Sequence, residues 1–187
     1  MRAFGKSIYV ITLFIGIILI SCGGSDDTDP PQNPPGAGTF TATVAEATTT
    51  NYVADITNGV LTKTDMSGSE QYTFYVKGQE TSTNRLIHFF IYTPTETVPG
   101  TYYLKVTDVN QAYYIENYDT SSAKGWLAPD YSDPDPNKIH GTVNITELTT
   151  DRAKGTFSFT AVEDVTGATL RTVTNGSFDV PLTRQGF

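Results

Sequence analysis

Leu86-Ile87-His88-Phe89-Phe90-Ile91-Tyr92 carries apolar side chains at both even and odd positions. In an extended chain successive side chains point to opposite faces, so this run predicts a central strand covered on both sides. Upstream of it, Phe40, Ala42 and Val44 alternate with threonines, and Tyr72, Phe74 and Val76 alternate with Thr73, Tyr75 and Lys77. Downstream, the same two-residue period recurs in Tyr102/Leu104/Val106, Ile139/Gly141/Val143/Ile145, Phe157/Phe159/Ala161 and Phe178/Val180/Leu182. These runs are rich in β-branched and aromatic residues, which suit a pleated, half-buried surface. No long segment beyond residue 39 keeps apolar residues at the three- and four-residue spacing of a helix.

Asn58-Gly59, Ser67-Gly68, Pro99-Gly100, Lys154-Gly155 and Asn175-Gly176 read as turns between the runs. The expectation is a single all-β domain over 39–187, an antiparallel β-sandwich or flattened β-barrel of roughly eight to ten strands. The doubly apolar strand favours two packed layers. Gly-Thr-aromatic triplets at 38–40, 100–102 and 155–157 are unequally spaced, so they mark turn glycines before core rings rather than a repeat architecture.

The first 38 residues have a different character. Arg2 and Lys6 precede an uncharged run from Ile8 to Ile20, whose 13 residues fall short of the about 20 needed to span a bilayer as a helix. That length fits the core of a signal peptide. Leu19-Ile20-Ser21-Cys22 resembles the lipobox of bacterial lipoproteins, which implies a leader over 1–21, cleavage before Cys22 and lipid, palmitate included, on that residue. Several acyl chains on one residue anchor a protein stably, whereas one does so marginally. Residues 22–38, dominated after the cysteine by glycine, proline and aspartate, read as a tether. Ser25-Asp26-Asp27 is similar to the acidic export signal of Bacteroidota surface lipoproteins, so the expected address is the outer membrane facing the cell exterior, with a periplasmic orientation as the alternative.

The order of leader, Gly-Thr-Tyr (100–102), Gly-Thr-Val-Asn-Ile-Thr-Glu-Leu (141–148), Gly-Thr-Phe-Ser-Phe-Thr-Ala (155–161) and Thr-Asn-Gly-Ser-Phe-Asp-Val (174–180) resembles a family of uncharacterised Bacteroidota lipoproteins with a β-rich C-terminal domain. That resemblance implies fold and address and carries no activity.

The formal charge of −8 argues against a nucleic-acid partner. Cys22 is the only cysteine, which excludes a thiol nucleophile, a cysteine–zinc site or a disulfide in the domain. Ser121-Ser122-Ala123-Lys124 matches a Ser-x-x-Lys nucleophile only formally, since a polar stretch replaces the helix that motif requires. The two histidines, His88 and His140, fall on separate strands, and a zinc site would need carboxylates converging on them. No cofactor other than calcium is implied. Asp133, Asp135 and Asn137, with Asp130 before them, place oxygens at alternate positions as in the first part of a calcium loop. Lys138 and Asn144 stand where that loop needs glycine and glutamate, so the calcium reading is incomplete.

The remaining signal is aromatic. Tyr75, Tyr103 and Tyr114 fall opposite the residues assigned to the core, so they are expected on a wet face with Tyr118, Trp126 and Tyr131 in an adjoining loop. Such residues pair an apolar body with a polar tip, which suits binding surfaces and stacking against sugar rings. The preferred expectation is a lipid-anchored, non-enzymatic domain that binds a glycan or an envelope protein. The alternatives are a glycan hydrolase using paired carboxylates and a lipocalin-like carrier of a small apolar ligand.

Overall fold

The computed structural model describes residues 38–66 and 68–187; the leader, Cys22 and most of the tether lie outside them. Eleven strands carry the chain: β1 (Thr39–Ala45), β2 (Thr49–Val53), β3 (Ile56–Met66), β4 (Ser69–Glu80), β5 (Arg85–Thr93), β6 (Gly100–Leu104), β7 (Gln111–Glu116), β8 (Lys124–Ala128), β9 (Gly141–Leu148), β10 (Arg152–Glu163) and β11 (Leu170–Gln185). A three-residue 3-10 turn, Val106–Asp108, sits between β6 and β7. No helix among the described residues is long and apolar enough to cross a membrane.

The strands form one all-β sheet in the order β2-β1-β11-β3-β4-β5-β7-β8-β10-β9-β6, and an added β10–β11 pairing closes a ring of hydrogen bonds. The ring is uneven because β10 and β11 change partners along their length. β11 pairs with β10 from Leu170 to Pro181 and with β1 from Thr172 to Asp179, and Leu182–Gln185 then runs parallel to β3. The change falls at Pro181, which has no N–H to give a ladder; Leu182 beyond it donates to the Asp151 carbonyl at 2.8 Å. Likewise β10 pairs with β9 over Ala153–Phe159 and meets β8 only at Val162 and Glu163. The parallel β11–β3 contact makes the sheet mixed, where a purely antiparallel one was expected.

The core lies between β1, β10 and β11 on one side and β4 and β5 on the other. Phe157 bridges the two, its ring centroid 4.9 Å from Phe40 and 5.6 Å from Phe89. Phe178 adds contacts to Phe89 at 5.5 Å and Phe74 at 6.5 Å. All five rings are buried, each contributing on the order of 2–3 kcal/mol by removal from water. The alternation read in β1, β4 and β10 matches this packing.

Three of the dipeptides read as turns lie inside strands. Asn58-Gly59 sits within β3, Lys154-Gly155 within β10 and Asn175-Gly176 within β11. A Cβ on Gly155 would stand 2.2 Å from the Asn144 carbonyl oxygen and 2.6 Å from the Phe178 ring, and one on Gly176 would stand 2.5 Å from the Phe157 carbonyl. These glycines admit a neighbour at a register shift rather than reverse the chain. Gly68, at φ 87°, does mark a reversal between β3 and β4; Ser67 lies outside the described residues.

Candidate functional site

β5 places Ile87, Phe89 and Ile91 in the core, which leaves His88, Phe90 and Tyr92 on the outer face, each half-buried. Register then assembles an aromatic surface. Phe90 stands opposite Tyr75 of β4 and Gln111 of β7, and His88 stands opposite Tyr113. The Tyr75 and Phe90 centroids are 4.8 Å apart, Phe90 and Tyr92 are parallel-stacked at 6.2 Å, and His88 meets Phe90 at 5.3 Å and Tyr113 at 4.9 Å. Such contacts add about 0.5–1.5 kcal/mol per pair beyond area burial, so the face is ordered before any ligand arrives.

Polar groups fix its edges. Tyr113 donates to Gln111 Oε1 at 3.3 Å, and Gln111 Nε2 donates to the Tyr131 hydroxyl at 2.7 Å. Asn110, buried beside β7, accepts from the Tyr92 N–H at 2.9 Å and donates to the Tyr103 carbonyl at 3.0 Å, which pins the end of β5. Burial, then Asp164 and the neighbouring phenols Tyr131 and Tyr92, pushes the Tyr113 hydroxyl up to about 12. Burial and Tyr118 likewise push Tyr75 up to about 12, and burial with Tyr131 raises Tyr92. Burial, helped by Lys77, brings His88 down to about 4. At neutral pH the face is therefore uncharged, with phenol O–H groups kept as donors.

Two clefts flank it. One of about 360 Å³ lies between the segment after β8 and the β10–β11 loop, with Leu127, Asp130, Tyr131, Glu163, Asp164 and Val165 in its lining. Another, of about 350 Å³, is bounded by Gln71, Tyr92, Pro94 and Val109. Both fall in the volume range of small-molecule sites. Val109 adopts φ 55°, a left-handed conformation that costs a β-branched residue strain, and its side chain is exposed.

The sequence-based aromatic set divides. Tyr75 and Tyr131 belong to this surface, and Tyr118 lies in the β7–β8 loop, its N–H donating to the Asn84 carbonyl at 2.9 Å. Tyr114 and Trp126 do not: both point inward and are buried, their rings 5.7 Å apart. The parity of β7 is the reverse of that expected, because Ala112 and Tyr114 face the core while Gln111, Tyr113 and Ile115 face out. Tyr103 is exposed but lies on β6, which among the described residues pairs only with β9. His88, Phe90, Tyr92 and Tyr113 complete the face, and sequence reasoning had assigned them to a covered strand or the core.

Trp126 instead forms the floor of a polar cluster. Its Nε1 donates to Thr169 Oγ1 at 2.9 Å, and the buried Arg171 guanidinium lies 4.0 Å from its ring centroid. Arg171 donates to Glu116 through Nε and an NH group, both at 3.2 Å, and forms an ion pair with Glu46 at 2.8 Å. A cavity of about 140 Å³ between Arg171, Arg85 and Tyr114 opens beside it. Glu46 and Glu116 thus form a carboxylate pair, but both are spent on one cation.

The acidic loop does not converge. Asp130, Asp133 and Asp135 each accept the N–H two residues ahead, from Ser132, Asp135 and Asn137; these are successive Asx turns. Asp133 also pairs with Lys138 at 2.6 Å. No group of three or more His, Cys, Asp or Glu among the described residues is placed to hold a metal ion. Ser121 and Ser122 are exposed in the β7–β8 loop, and Lys124 opens a strand rather than closing a helical turn. His88 lies on β5, whereas His140 is tied to Leu104 and Thr160 beside β6 and β10, so the two do not meet.

No curated protein and no solved structure matches the chain. Residues 39–181 match a family described as a domain of unknown function, DUF6252. The match runs from the first residue of β1 to Pro181, through both layers of the core and the whole aromatic face, and by it the chain belongs to the DUF6252 family.

Proposed function

We propose that the chain is a lipid-anchored envelope protein, displayed outside the cell, whose β-domain binds a glycan on the outer face of β4, β5 and β7. The anchor rests on the short apolar run before Leu19-Ile20-Ser21-Cys22 and the glycine- and proline-rich tether behind it. The binding reading rests on one observation: Tyr75, Phe90, Tyr92 and Tyr113 form an ordered, uncharged aromatic surface bounded by phenol and amide groups. A sugar ring offers an apolar face of C–H groups and a rim of hydroxyls, and this surface presents the complement to both.

The other readings have less behind them. A hydrolase needs two carboxylates free to face a bond across a cleft; Glu46 and Glu116 are held by Arg171, and in the cleft at Tyr131 Asp130 is engaged by Ser132 and Glu163 by Thr166 and Thr169. An apolar carrier needs a hollow interior, and the rings of Phe40, Phe74, Phe89, Phe157 and Phe178 are in mutual contact.

A glycan array probed with the full, acylated chain in detergent tests the reading, with Tyr92→Ala and Tyr131→Ala alongside. Each substitution is expected to weaken binding about tenfold, the order of one lost stacking contact. Binding that survives both together unchanged would refute the aromatic face as the site.

A further inference from the structure

Among the described residues five that are not glycine hold a positive φ: Asn84, Val109, Asn117, Asp119 and Asn175. Four of them are asparagine or aspartate, whose short polar side chains tolerate the left-handed region. Val109, at φ 55° and ψ 0°, is the exception, and branching at its Cβ makes that conformation costlier for it than for the others. The backbone geometry has a structural task. It ends the 3-10 turn Val106–Asp108 and carries the chain into Asn110. Asn110 in turn bridges the Tyr92 N–H of β5 and the Tyr103 carbonyl of β6, strands that do not pair with each other among the described residues. Glycine or asparagine would perform that task with less strain. The turn therefore explains the conformation and leaves the valine unexplained.

Core packing does not explain it either, since Val109 is 56% exposed. Its location does. With Tyr92 and Pro94 it gives an apolar lining to the cleft of about 350 Å³ at one end of the aromatic face. Ser69, Gln71 and Thr93 add polar groups to the same cleft. Glu70, which also lines it, is paired with Lys63 at 2.6 Å and accepts from the Tyr72 hydroxyl at 3.0 Å. Tyr92 belongs to both the face and the cleft, so a chain laid across Phe90 and Tyr92 meets Val109 next. An isopropyl group offers apolar contact alone, and backbone strain concentrates where a ligand is gripped.

We infer that Val109 is a ligand-contacting residue, and that its cleft takes a sugar bearing a methyl group, from an N-acetyl or a 6-deoxy substituent. This rests on the aromatic-face reading and adds a subsite and the chemistry it selects. The methyl packs on the isopropyl group, the sugar ring lies against Tyr92, and its hydroxyls meet Ser69, Gln71 and Thr93.

Two measurements on the full, acylated chain in detergent test the inference, and they should move in opposite directions. In thermal denaturation Val109→Gly and Val109→Asn should raise the melting temperature by about 3 °C, because both relieve the strain. In isothermal titration with an N-acetylglucosamine tetramer and with a rhamnose tetramer, both variants should bind the preferred chain about fivefold more weakly, the order of a half-buried isopropyl group. Which tetramer is preferred tells the N-acetyl source of the methyl from the 6-deoxy one. Val109→Ile, which keeps both strain and contact, should bind as the wild type does. A glucose tetramer, which has neither methyl, should bind about fivefold more weakly than the preferred chain and ignore Val109→Gly. A lower melting temperature in both Val109→Gly and Val109→Asn would make the valine structural and overturn the inference. Undiminished binding by those variants, with binding lost in Tyr92→Ala, would remove the subsite and leave the aromatic face standing. Equal binding of the glucose tetramer would overturn the methyl assignment in the same way. Failure of all three probes, together with a blank glycan array, would overturn both readings.

Discussion

His88→Phe should flatten the acid limb of the stability profile. The His88 ring is enclosed by Tyr75, Phe90 and Tyr113, with Lys77 on the neighbouring strand. Its Nε2 is buried without a partner among the described residues, and the Tyr75 hydroxyl lies 3.4 Å from Nδ1. Burial brings the imidazole from its ordinary 6.5 down to about 4, so between these values the unfolded chain holds a proton that the folded chain refuses. Stability is therefore fullest above the unfolded value and falls as pH drops from about 6.5 towards 4. Linkage with those two values gives a loss of about 2 kcal/mol between pH 7.5 and pH 5 from this residue alone.

Phenylalanine keeps the ring, removes the orphaned nitrogen and does not titrate. The variant should match or exceed the wild type at pH 7.5 and lead it by about 2 kcal/mol at pH 5. Urea titrations followed by emission of Trp126, the single tryptophan and a buried one, measure both. Carboxylates titrate in the same range in both proteins, so the difference between them isolates His88. Parallel loss of stability in the two would show that the imidazole charges freely in the folded state and that the face is wetter than argued.

Gly78→Ala should cost about 2 kcal/mol by overpacking, because its Cβ would stand 2.4 Å from the Phe40 ring and 3.0 Å from Ala54; thermal denaturation reads the loss. Arg171→Leu should cost about 2 kcal/mol, less than the ~3–5 of a fully buried pair because Glu46 is exposed and Glu116 only half-buried. A red-shifted Trp126 emission should accompany that loss, since the guanidinium covers the indole. Cys22→Ser should abolish palmitate incorporation and release the protein from the membrane fraction; labelling that persists would remove the anchor from the reading.

Much of the fold was legible because half-buried strands advertise themselves. Phe40/Ala42/Val44 and Tyr72/Phe74/Val76 alternate against threonine and lysine, and each set is buried as read. β3 escaped because Ile56–Met66 is mostly polar and carries Asn58-Gly59, a strong turn signal that here sits beside β11. Turn glycines and close-approach glycines look alike in sequence, since the neighbour that needs the space is remote in the chain: Asn144 for Gly155, Phe157 for Gly176. The inversion of β7 has a local cause. Tyr113-Tyr114 gives no parity by itself, and the deciding residues are Gln111 and Ala112, of which the polar one shares its face with Tyr113. Trp126 lies in a five-residue strand, Lys124–Ala128, too short to show a period, so it read as loop.

The molecule supplies its own control for whether the aromatic face needs a functional explanation. On the outer side of β1, β10 and β11 the corresponding positions are hydroxyl and charged residues, Thr41, Thr43, Thr156, Ser158, Thr160, Thr172, Thr174 and Ser177 with Arg152, Lys154 and Asp179, joined across strands by contacts such as Thr41 to Ser177 at 2.9 Å. Threonine satisfies strand preference and water together, and this side shows that the fold accepts it. Nothing in β-propensity therefore requires Phe90, Tyr92 and Tyr113 on the outer side of β4, β5 and β7, where their half-exposed rings carry a solubility penalty that threonine avoids. Cross-strand packing explains why those rings are ordered once present. It does not explain why they are gathered on one side, between two clefts. A partner that presents an apolar face with hydroxyls around it would account for both features at once.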